Sequence, residues 1–332
     1  MSAAQQGDSI DAETPATADK ITTFIQRNKQ RVNARAVRTT QQPDLREPKL
    51  VQQVSAKMHQ LSLVINEIPA PINDDVRNVP NALARTALFT IRSDRDERAF
   101  LNNVLIAAPN NVAMLYKGEE LRQDDAGVWL QMIYAASGVR EKSSDPSQPI
   151  TFTVRAWELI ETLGWANNKT GYQRLFDCLQ RLIATALTVE MDRGRSAFIG
   201  SLLSEAKITS VMNRGKVSPS YEIQISRTVV SLFAPDAYSR VTWSKRLATK
   251  RPLAQWLMAF YSTHRDPLPI GVYELKRLSG SQAKHLYHFR EILTTACKEL
   301  TTLQVFKSWH INTLDQLVVE RQPPTPALAF MQ

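Results

Sequence analysis

The chain has 332 residues, 43% of them hydrophobic, and a formal net charge of +9. Its length suits roughly two domains and a tail, and its basic excess suits a polyanionic partner, either nucleic acid or an anionic membrane surface. Two cysteines, Cys178 and Cys297, form no Cys-x-x-Cys pair, which excludes a zinc ribbon or finger and leaves buried free thiols as the expectation.

The first twenty residues lack a signal pattern, and no apolar run approaches the about 18 residues of a membrane span. A cytoplasmic protein with no membrane partner is expected. Residues 1–80 hold ten Lys/Arg and nine Asp/Glu, so nearly all of the excess charge falls on the remainder. Residues 1–18 are small and polar and read as disordered. Residues 41–82 carry Pro43, Pro48, Pro69, Pro71 and Pro80, the composition of a linker. The expected division is a disordered tail and linker over 1–82, a first domain over 83–235, a second over 236–322 and a short tail over 323–332.

Order is expected from Leu83. Residues 87–92 read as a strand, and 104–108 with 112–116 read as a hairpin about Pro109-Asn110-Asn111. The apolar stripe of 123–137 predicts a helix, with Asp124 and Asp125 suiting its N-terminus. A strand over 150–154, a short helix over 156–163 ending at Gly164, and a longer helix over 169–187 follow. Two hairpins then turn at 192–195 and 213–216, and a helix over 228–233 closes the first domain. The second half repeats this order, with Trp256-Leu257-Met258 matching Trp129 to Met132 and Gly280 matching Gly164. A long helix over 281–300 and strands over 304–311 and 315–320 complete it. The repeated order predicts an α+β chain of two tandem winged-helix domains.

The helix over 169–187 sets Leu175, Cys178, Leu179, Leu182, Ile183 and Ala186 on its buried face. Its other face offers Lys169, Thr170, Gln173, Arg174, Asp177, Gln180 and Arg181, side chains that read base edges and phosphates. In a helix-turn-helix the start of the second helix meets the bases, which singles out Lys169, Thr170, Tyr172, Gln173 and Arg174. Taken alone, such a face is more often one of ordinary solvation. The second long helix brings Ser281, Gln282, Lys284, His285 and His288 to its start. The histidine pair has no third ligand and lies beside Lys284, so DNA or solvent contact is the better reading than a metal. Arg193 and Arg195 in one hairpin tip, and Arg214 and Lys216 in the other, place cations where a wing lies along a phosphate backbone. No phosphate loop, nucleophile elbow or His-hydrophobic-His motif is present. Asp94-Arg95-Asp96-Glu97 reads as a solvated loop. No catalytic residue, metal or cofactor is expected. In the tail, Gln60-Leu61-Ser62-Leu63-Val64 looks like the glutamine-led pentapeptide that enters the cleft of the bacterial sliding clamp, although Val64 stands where a large aromatic is usual.

These residues, with Ala87-Leu88-Phe89-Thr90, Tyr116-Lys117-Gly118-Glu119-Glu120-Leu121-Arg122, Val128-Trp129, Leu163-Gly164-Trp165 and Ser262-Thr263-His264-Arg265-Asp266-Pro267, resemble the TrfA family of plasmid replication initiators. The resemblance covers about 83–320. It implies a non-catalytic protein that binds directly repeated origin sites (iterons) in double-stranded DNA and opens an adjacent AT-rich region. It implies the host initiator DnaA, the replicative helicase and the sliding clamp as partners, and a monomer–dimer equilibrium serving copy control. A winged-helix transcriptional repressor and an origin-nicking relaxase or nuclease are the rival readings.

Overall fold

The computed structural model describes residues 68–93, 96–109, 112–139, 148–191, 196–213, 216–234 and 236–322, with the side chains of 191–198 and 211–218 also outside the description. The clamp-like peptide 60–64 therefore lies outside the described residues. The described residues belong to one compact unit, a mixed α/β body.

Order begins earlier than the prolines predict. Ile68 is buried, and the Asn78 amide donates to the Pro69 carbonyl at 2.7 Å. Strand β1 (Val76–Pro80) leads into the single turn α1 (Asn81–Ala84). The linker reading is thus corrected over 68–82. β1 holds because it pairs with β11 (Tyr238–Thr242), Val76 opposite Thr242, and Pro80 ends it where no further ladder donor is needed. The strand expected over 87–92 shrinks to β2 (Phe89–Thr90), which pairs in parallel with β5 (Leu121–Arg122).

The predicted hairpin is β3 (Phe100–Ile106) and β4 (Val112–Glu119). It continues through β7 (Ala186–Met191) and β8 (Ser196–Gly200) as one antiparallel sheet, ordered β3-β4-β7-β8. Alternation along the strands buries Met114, Tyr116, Leu187 and Val189 and leaves Leu105, Leu115 and Ile199 exposed, the period of a half-covered sheet.

Two units of like order lie within this body. The first is α2 (Gln123–Ser137), β6 (Ile150–Arg155), α3 (Ala156–Thr162), α4 (Lys169–Ile183) and the hairpin β9 (Glu205–Asn213) and β10 (Lys216–Ile225). A short turn of helix, α5 (Arg227–Val230), and α6 (Trp243–Ala248) join it to the second. The second is α7 (Pro252–Ser262), β12 (Ile270–Gly271), α8 (Val272–Leu278), α9 (Leu286–Thr302) and the hairpin β13 (Phe306–Ile311) and β14 (Gln316–Arg321). Their sheets correspond, β6-β10-β9 and β12-β14-β13, each with the last strand in the middle.

The turns after α3 and α8 also correspond. Gly164 and Gly280 take φ of 69° and 67°. The next amide closes back on a carbonyl five residues earlier, Trp165 to Ile160 at 2.9 Å and Ser281 to Lys276 at 3.1 Å. This is a Schellman ending, in which glycine avoids the Cβ clash of the left-handed region.

Two helix boundaries differ from the periodicity. α4 stops at Ile183, because Ala186-Leu187 and the residues after them pair with β4 instead. Ala186 is therefore an exposed strand residue rather than a buried helical one. α9 starts at Leu286, not at residue 281, with His285 extended at its N-cap (φ −114°, ψ 145°). Both cysteines are buried and free, as expected.

Hydrogen bonds from buried donors tie α7 of the second unit to the segment before β2, and the joining helix α6 to the first unit. The Trp256 indole donates to the Thr86 carbonyl at 3.1 Å, and the Trp243 indole to the Thr162 carbonyl at 3.0 Å. Arg246 is enclosed and donates to the Gln123 carbonyl and side chain at 3.0 and 3.2 Å. Burial away from any carboxylate lowers its pKa to about 10.

Candidate nucleic-acid interface

Helix α4 begins at Asn168, whose side chain accepts from the Gly171 amide at 2.9 Å, a side-chain N-cap. Gly171 is required there, since a Cβ would collide with the Ala166 carbonyl oxygen. The chain thereby packs tightly against its own turn and holds Lys169, Thr170 and Gln173 in solvent. Tyr172 is half-buried against the core. Leu175, Cys178, Leu179 and Leu182 fill the inner face.

The basic residues further along α4 sit differently from the solvated face that the spacing predicts. Arg181 Nε lies 2.9 Å from Asp125, and its side chain is only 11% exposed. Its position is corrected from surface to a buried ion network, because α2 packs across that side of α4. The network centres on Asp124 and Asp125 at the start of α2. Arg98 donates to both Asp124 oxygens at 3.0 Å and to Asp125 at 2.7 Å. Arg174 Nε stands 3.7 Å from Asp124, while its guanidinium lies over the Trp165 ring at 4.4 Å. Burial raises the Asp124 pKa, but Arg98 and Arg174 more than offset it and hold the carboxyl below its usual range.

Asp124, Asp125 and Cys178 are the group of potential metal ligands close enough together among the described residues. Arg98 and Arg181 already occupy those carboxylates. Burial keeps the thiol protonated, pushing the Cys178 pKa well above its ordinary value. The donor set thus fits guanidinium rather than a metal ion.

At the second unit, Ser281, Gln282 and Lys284 lie in the turn before α9 rather than on it. His285, Tyr287 and His288 cluster at the helix start. The His285 and Tyr287 rings stack at 5.5 Å, and Tyr287 and His288 lie 3.9 Å apart. The histidines gather no third ligand among the described residues. Tyr287 is 52% exposed and escaped the sequence reading. The signal that finds it is an aromatic on the outward side of an amphipathic helix's first turn, where solvation gives no reason for one.

The segment after β2, with residues 94 and 95 outside the description, reaches the end of α8 at one side and the ion network at the start of α2 at the other. Its Ile91 amide donates to the Ser279 carbonyl at 3.2 Å. Arg122 pins it through the carbonyls of Ser93 at 2.6 Å and Asp96 at 2.9 Å. Asp96 and Glu97 are exposed, as expected of a solvated loop, while Arg92 is tied to Glu120 at 3.1 Å. The segment ends at Arg98, in the network beside α4, and borders an open cleft of ≈ 460 Å³ with Ser281, Gln282 and Ala283.

Of the two predicted wings, β7–β8 belongs to the four-stranded sheet. β9–β10 occupies the place that β13–β14 holds in the second unit. Arg193, Arg195 and Arg214 lie outside the described residues, as does the Lys216 side chain. Among the described residues no helix is long and apolar enough to cross a membrane.

Comparison with solved structures finds domains 2 and 3 of RctB, with TM-score 0.47 and 11% identity, covering 74% of this chain and 99% of that one. It also finds Pi initiator protein in complex with iteron DNA, with TM-score 0.43 and 14% identity, covering 63% of this chain and 98% of that one. The plasmid replication initiator protein TrfA of Escherichia coli is 34% identical over 253 residues. That alignment covers 76% of this chain and 63% of the relative, so the chain spans less than two thirds of its length. The TrfA protein model matches residues 29–321, and with that match over most of its length the chain belongs to the TrfA protein family.

Proposed function

We propose that this chain is a plasmid replication initiator that binds directly repeated origin sites in double-stranded DNA through two winged helices. The observation that carries the reading is the segment after β2, whose Ile91 amide is bonded to the end of α8 and whose Arg98 shares the Asp124 carboxylate with Arg174 of α4. Helices α4 and α9 lie in one compact body, as two readers on one repeat require. Lys169, Thr170, Gln173 and Arg174 serve the first groove segment, and Ser281, Gln282, Lys284, His285 and His288 the second. β9–β10 and β13–β14 follow the intervening backbone. The action is non-catalytic. Binding strain summed over adjacent repeats favours opening of an AT-rich segment, and the host initiator, helicase and clamp are recruited from there.

The test is a footprint of the full chain on its plasmid origin. Protection is expected in each direct repeat, with about six to ten phosphate contacts giving a log–log salt slope near −5 to −9. Equal protection of random duplex sinks the reading. Protection confined to an inverted repeat makes the protein a repressor instead. Nicking of supercoiled origin DNA with Mg²⁺ alone makes it an enzyme.

A further inference from the structure

The cleft beside the second helix start is built differently from the surface around it. Arg92 and Asp96 border it from the segment after β2, Arg251 from the head of α7, and Ser281 and Gln282 from the turn before α9. The Arg92 Nε is buried with no acceptor among the described residues. Helix α7 starts without a side-chain cap and without an acidic residue in its first turn, and Glu299 from α9 accepts from the Lys250 amide just before it. The arginines are already half-neutralised, Arg92 by Glu120 at 3.1 Å and Arg251 by Glu299 at 3.2 Å. With Asp96 also on the rim, a dianion would face too much negative charge. A single negative charge with two oxygens to share among amides, hydroxyls and guanidinium fits better.

We propose that this cleft holds one phosphodiester group of the DNA backbone, fixing the register of the duplex between the two helix starts. This rests on the initiator reading. It adds a contact made by the junction rather than by either recognition helix or wing. A backbone contact positions without reading sequence, so its loss weakens cognate and random duplex alike.

The experiment uses the full chain on a single origin repeat. Neutral methylphosphonate linkages are placed one at a time along each strand. One linkage is expected to weaken the wild type but leave Arg251→Ala unaffected. The Arg251→Ala salt slope should be shallower by about 0.9, the value of one phosphate. If every linkage that weakens the wild type weakens the variant by the same factor, the cleft holds no phosphate. Because Glu299 loses a partner in that variant, Ile292→Glu and Ile292→Gln provide a second arm. Ile292 borders the cleft and is 43% exposed. The charged variant should lose affinity on both duplexes and the neutral one should not; equal behaviour overturns the proposal. A wild type that binds no repeat at all removes the initiator reading first, and this inference with it.

Discussion

The two helix starts have the same local fold and opposite support. At α4 the arginines are braced. Arg174 lies between Trp165 and Asp124, and Arg181 is held by Asp125. At α9 the side chains rest on one another in solvent, His285 stacked on Tyr287 and His288 tilted against both, and the nearby Arg290–Asp315 pair is itself largely exposed. A glycine turn, a Schellman closure and a half-covered helix set the backbone in both. They leave the chemistry of the exposed face unspecified. The first start is preorganised and loses little rotamer freedom on binding. The second must order three rings at contact.

The brace breaks most completely at Asp125. This carboxylate is fully buried and accepts from Arg98, Arg181 and the Arg122 amide. Asp125→Ala takes the close carboxylate from Arg181 and one of two from Arg98 in a poorly solvated site, and a loss of about 3–5 kcal/mol in unfolding free energy is expected by urea denaturation. A change under 1 kcal/mol would mean the network is incidental. Acid should expose the same asymmetry. Asp124 titrates below its usual range in the fold, so its contribution is complete above the ordinary carboxylate value near 3.9 and disappears as pH falls through the lowered one. Hydrogen exchange, corrected for intrinsic rates, should open α4 before α9 on acidification. Simultaneous opening removes the distinction.

The second start is probed by Tyr287→Ala. The ring is half in solvent, so stability should stay within about 0.5 kcal/mol. Binding to the cognate repeat should weaken by about 1–2 kcal/mol, the size of a good groove contact. Full affinity in this variant would leave the aromatic cluster without a part in recognition.

Most of the backbone plan is readable along the chain. The apolar stripe of 123–137 coincides with α2, the hairpin strands expected over 104–108 and 112–116 with β3 and β4, and the two left-handed glycines with the ends of α3 and α8. What escapes is whatever depends on a distant partner. β1 reads as linker because the strand that completes it begins at Tyr238. Arg181 reads as surface because period 3.6 places it away from Leu175 and Leu182 but says nothing of α2 lying across it. Ser281-Gln282-Ala283 resembles a first helical turn in composition, yet it lies outside α9, directly after the left-handed Gly280. That geometry answers to a contact far back in the chain, since a Cβ on Gly280 would meet Thr90 at 2.9 Å.

The smallest expected effect decides whether the brace serves recognition or only folding. Trp165 packs partly on the core and carries the Arg174 guanidinium on its face. Trp165→Phe keeps most of the packing and weakens the cation–π contact, worth about 0.5–1 kcal/mol at a site of this exposure. If Trp165 works by presenting Arg174, that loss should appear in affinity for the cognate repeat and vanish in the Arg174→Ala background, where there is no guanidinium left to present. If Trp165 only packs, Trp165→Phe should cost the same in both backgrounds, and the loss should track the melting temperature rather than the DNA. A coupling indistinguishable from zero would reduce the preorganised start of α4 to a surface like any other, and the contrast with α9 would then be one of side-chain composition alone.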